Sequence, residues 1–105
     1  MTTNTIAYDR LRSGIAAANL GFSESVTAAD ANRFLKLYHL YDDELDAMVA
    51  ANLMKSTAQY KVLTQELKNA KTALEDIIED IQRLVQTTET ALKIATTFTK
   101  IVAMI

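Results

Sequence analysis

Apolar residues recur along this chain at alternating steps of three and four, the spacing of one face of a helix. From residue 60 onward the recurrence keeps heptad register. Tyr60, Leu67, Leu74, Ile81, Thr88, Ala95 and Val102 fall at one seam position, and Leu63, Ala70, Ile77, Leu84, Ala91, Phe98 and Ile105 at the other. Only Thr88 departs from apolar or aromatic character. The positions opposite the seam are Gln65, Thr72, Glu79, Gln86, Lys93 and Lys100, all polar. This pattern predicts one long, coiled-coil-like helix over residues 58–105.

Upstream, Tyr8, Leu11, Ile15 and Ala18 share a helical face and predict a short helix over residues 5–20, with Gly21 placed to end it. Thr27, with Asp30 three residues on, resembles a capping box at the start of the next helix. Phe34, Tyr38, Tyr41, Leu45 and Met48 carry that helix over residues 27–52. The next positions in phase are Asn52, Lys55 and Gln59, all polar. The stretch NLMKST (52–57) therefore reads as a turn between two antiparallel helices. The alternative is a stutter inside one continuous helix, roughly 115–120 Å long at ~1.5 Å per residue. YDDEL (41–45) is a second turn candidate.

The chain has two glycines and no proline. Tight β-turns commonly need one or the other, so a strand-rich fold is hard to build here. The expected fold is all-α: a short N-terminal helix plus a long antiparallel hairpin, in a single domain of 105 residues.

The flanking heptad positions carry the functional expectation. Up to Asp80 they are mostly polar, but from Ile78 they become Ile78, Val85, Leu92, Ile94 and Ile101, broken by Thr87 and Thr99. An apolar face that wide asks for cover on two or three sides. Helix 27–52 is too short to reach beyond about residue 83 of its partner, and helix 5–20 could return to cover only part of the remainder. The expected interaction surface is thus Ile78, Val85, Leu92, Ile94, Phe98, Ile101, Val102 and Ile105. Its cover would be a second copy, completing a helical bundle by oligomerisation, or a helical partner protein.

Composition narrows the alternatives. Half of the residues are apolar and the formal charge is −2. No segment carries the positive field that nucleic-acid binding needs. Cysteine is absent, which excludes disulfides and thiolate-bound zinc. His39 has Asp43 on its helical face but lacks the further ligands of a metal site. The acids Glu75, Asp76, Glu79 and Asp80 point away from the seam, as on a solvated face. Asp42, Asp43, Glu44 and Asp46 lack the spacing of a calcium loop and read as first-turn acids or a solvated cluster. With no marked nucleophile and no phosphate-cradling loop, neither an enzyme nor a cofactor is expected.

The other reading is a membrane-active or secreted helical protein whose C-terminal segment meets lipid or a pore partner. ALKIATTFTKIVAMI (91–105) is shorter than the ~20 residues a membrane-spanning helix needs, but Lys93 and Lys100 on one face suit an in-plane helix. The N-terminus lacks a basic region followed by an apolar core, so a cytoplasmic protein, or export without a Sec-type signal, is expected.

Overall fold

The computed structural model describes residues 2–105 and is all-helical. The helices are α1 (Asn4–Glu24), α2 (Ala28–Ala50), α3 (Gln65–Lys68), α4 (Lys71–Leu84) and α5 (Thr88–Val102). The longest dimension is 39 Å, which excludes the single continuous helix. The radius of gyration is 13.3 Å, near the ~13 Å of a close-packed chain this long.

α1 lies between α2 and α5, and α4 packs on α5. α1 is antiparallel to α2 across the short link Ser25–Thr27, and α4 to α5 across Val85–Thr87. The two links sit together at one end. There the Val26 amide donates to the Leu84 carbonyl (3.0 Å) and the Gln86 amide to the Glu24 carbonyl (3.1 Å). The Glu24 carboxylate also accepts from the Thr87 and Thr90 hydroxyls. At the other end the segment 53–64 crosses the bundle. The first amides of α1 have no partner within their own helix. They find one here: Asn4 donates to the Ala58 carbonyl (2.9 Å) and Thr5 to that of Ser56 (3.1 Å).

The α1 seam is lined with small residues, and this sets how close its neighbours come. Ala7, Leu11, Gly14, Ala18 and Gly21 are all buried. A Cβ on Gly21 would lie 2.5 Å from the buried Phe34 ring, and one on Gly14 would lie 2.5 Å from Ile101 and 3.0 Å from the Tyr41 ring. Gly21 therefore does not end α1; it admits an aromatic ring against the backbone, and the helix runs one turn further. Phe98 of α5 closes the core, its ring 5.8 Å from Tyr41 and 6.5 Å from Phe34.

Three expected elements differ. Thr27 does cap α2, accepting from the Asp30 amide, but YDDEL makes no turn and lies inside the helix. A turn does follow α2, where Asn52 adopts φ 58°. It leads into extended chain, so helix does not begin at residue 58. The expected helix 58–105 is three helices, broken at Asn69–Ala70 and again at Val85–Thr87.

Candidate interaction surface

The second break overturns the reason for expecting a broad apolar face. Up to Leu84 the seam keeps its register: Leu67, Ala70, Leu74, Ile77, Ile81 and Leu84 are all buried. Thr87 then caps a new helix, accepting from the Thr90 amide. α5 starts with a rotated phase and buries Ala91, Ile94, Phe98 and Ile101, while Thr88 is exposed and Ala95 only half-buried. Of the flanking apolar residues, Ile78 thus belongs to α4, Val85 to the link and Leu92, Ile94 and Ile101 to α5, whose core face joins Ile94 and Ile101 to the seam residues Ala91 and Phe98.

The expected interaction residues separate accordingly. Ile94, Phe98 and Ile101 are completely buried and Val85 nearly so, all inside this chain's own core. Another molecule is not needed to shield them, and none of the four presents a surface. Ile78, Val102 and Ile105 are half-buried and pack against that core. Leu92 alone is exposed, at 58 %.

Leu92 stands on the rim of a groove between α1 and α5. The groove has a volume of about 560 Å³ and is walled by Ala16, Ala17 and Leu20 from one helix and Thr96 and Thr97 from the other. Small side chains keep the α1 wall low, so an incoming backbone can approach it closely. The Thr97 hydroxyl donates to the Lys93 carbonyl of its own helix (2.9 Å). That leaves its methyl for contact. Through Ser13 and Thr97 the groove continues toward Ile6, Arg10 and Lys100. Of the four ionisable side chains along its length, Asp9, Arg10, Lys93 and Lys100, three are basic, and Lys93 also pairs with Glu89 of its own helix (3.8 Å).

The other singled-out groups resolve differently. His39 is exposed and stacks edge-on with Tyr38 at 5.5 Å. Carboxylate oxygens of Asp42, Asp43 and Asp46 lie within 4.8 Å of one another on the outer face of α2. Three ligands from one helix, Asp42 half-buried and the other two exposed, fall short of the six to eight oxygens a calcium ion collects. Glu44 does not belong with them. It is completely buried, and its carboxylate accepts from the Tyr60 hydroxyl (2.7 Å), the Leu63 and Thr64 amides (both 2.8 Å) and the Thr64 hydroxyl (2.9 Å). Glu44 is thus the anchor of the crossing segment and holds Thr64, the residue whose hydroxyl caps α3. Its place between Tyr41 and Met48, in phase with both, was the available signal.

No helix among the described residues is long and apolar enough to cross a membrane. Comparisons with family models, with curated proteins and with solved structures return no match.

Proposed function

We propose that this chain is a non-enzymatic helical interaction module that receives one helix of a partner in the groove between α1 and α5. The observation that carries this reading is Leu92. It is a large aliphatic side chain, mostly exposed, beside a groove floored largely by Ala16, Ala17 and Leu20. An amphipathic helix laid into such a trough buries side chains spaced three, four and seven apart. Covering Leu92 would contribute roughly 1–2 kcal/mol, given that its exposure is already partial.

The test is selection from a displayed library of amphipathic helices, about 20 residues long, against the full chain. Recovered helices should bind the Leu92→Lys variant at least ~10-fold more weakly, as befits loss of a central apolar anchor. Helices that bind both forms equally, or no enrichment over a scrambled library, would overturn the proposal.

A further inference from the structure

We infer that the helix received by this groove is α2 of a second copy of the same chain, docked face to groove rather than groove to groove. The inference rests on the interaction reading above and adds the identity of the occupant.

Two surfaces of the molecule carry the same pattern with opposite charge. The groove is apolar at both ends, with Leu20 and Leu92 at one and the exposed Ile6 at the other. Between them lie Arg10 and Lys100, with Asp9 as the one acid, and Lys93 stands beside Leu92. Ile6 and Leu20 are 14 positions apart on α1, a rise of ~21 Å. The outer face of α2 also has two exposed aliphatic residues, Leu35 and Val49, again 14 positions apart. Asp42 lies midway between them on the same helical stripe, with Asp43 and Asp46 beside it. Lys36 and His39 are the other ionisable groups on that face. An apolar, acidic, apolar strip thus matches an apolar, basic, apolar groove in length and in sign.

Charge also selects the arrangement. A two-fold dimer through the groove would set the basic set Arg10, Lys93 and Lys100 of one copy against the same set of the other, and like-charge juxtaposition opposes binding. A face-to-groove contact pairs them with carboxylates. It leaves one free groove and one free α2 face at the ends of every assembly, so it grows with concentration instead of stopping at two. A strip ~21 Å long and one helix wide buries roughly 500 Å² per copy, at the small end of specific interfaces, so the test spans a wide concentration range.

The experiment is sedimentation velocity with light scattering on the full chain from about 10 to 500 µM, at low and high salt, the range a weak interface requires. Two variants accompany it: Leu92→Lys, which blocks the groove, and Asp42→Lys/Asp46→Lys, which reverses the α2 face. Circular dichroism checks that both retain the helical fold, and Leu92→Asn with Asp42→Asn/Asp46→Asn replaces any variant that does not. The wild type should assemble progressively, and high salt should weaken it at least ~5-fold. Each variant alone should remain an 11.6 kDa monomer. An equimolar mixture should form a one-to-one heterodimer and go no further, because each variant supplies the surface the other lacks. A wild type that stays monomeric throughout overturns the inference. So does a dimer lost in Leu92→Lys but kept in the α2 variant, or a mixture that remains monomeric. A library helix that depends on Leu92 while the wild type stays monomeric keeps the interaction reading and removes this occupant.

Discussion

At the scale of single residues, the largest consequence attaches to Glu44. A completely buried carboxylate is tolerable only when its oxygens are filled, and here four donors fill them. Glu44→Gln keeps the shape but turns an NH₂ toward one amide that can only donate, that of Leu63 or that of Thr64, since the two bind different carboxylate oxygens. The expected loss is about 2–4 kcal/mol, since a buried donor is left unsatisfied and its former acceptor now repels it. Urea denaturation gives the loss. Hydrogen exchange locates it: the Leu63 and Thr64 amides should lose protection first. A variant with unchanged stability would mean that the carboxylate does not anchor the crossing segment. Leu92 and Ile94 provide the opposite kind of contrast, two aliphatic residues two positions apart. Leu92→Lys should shift stability by no more than about 0.5 kcal/mol. Ile94→Lys places an unpaired ammonium in the core and should cost at least about 4 kcal/mol, most of the stability of a domain at the lower end of the usual range. Thermal melts of the two proteins side by side make the check.

At the scale of elements, the ends of helices hold what the apolar pattern left out. The α2 terminus is closed by a paired motif: the Leu53 amide donates to the Met48 carbonyl (2.9 Å) and the Asn52 amide to that of Val49 (3.0 Å), with Asn52 left-handed between them. Asn52→Ala should destabilise by about 1 kcal/mol, because a Cβ-bearing residue without asparagine's local hydrogen bonding resists that conformation. Asn52→Gly should be neutral or slightly stabilising. Chemical denaturation of the pair gives the order, and Ala at or above Gly would contradict the cap. That turn was legible because Asn, Ser and Thr interrupt the apolar phase there. The break at Val85–Thr87 was harder to see. The seam positions Leu84 and Ala91 stay apolar across it and are both buried, so a heptad count passes through without a gap. The signals present were Thr88 in the seam and Thr87 at a capping position, each weak alone. The start of α3 was illegible for a different reason. Tyr60 and Leu63 fit helical spacing, but the Tyr60 hydroxyl and the Leu63 amide are tied to a carboxylate 16 and 19 positions upstream, and the segment is not helical. Local pattern carries no information about such a contact.

At the scale of the whole molecule, the two buried tyrosines make folding sensitive to alkali. Burial raises the Tyr41 phenol above its ordinary value of 10.0. Tyr60 is raised by burial first, and then by the hydrogen bond and negative charge of Glu44. Both groups are therefore protonated in the folded chain at a pH where the unfolded chain has lost those protons. The native state then binds more protons than the unfolded state, so stability falls as pH rises. Their contribution is fully present below about pH 10 and is lost above it, at up to ~1.4 kcal/mol per pH unit for each phenol. Tyr41 isolates the effect, because among the described residues its hydroxyl is buried without a hydrogen-bond partner. Tyr41→Phe removes a desolvated group that returns nothing, so at pH 7 the variant should match or exceed the wild type by about 1 kcal/mol. Above pH 10 the gap should widen by ~1.4 kcal/mol per unit, while titrations common to both proteins cancel in the difference. Urea midpoints at pH 7, 10 and 11 measure it. A gap that stays constant across that range would mean that the Tyr41 hydroxyl reaches solvent, and Phe34, Tyr41 and Phe98 would then not form the closed centre on which α1, α2 and α5 converge.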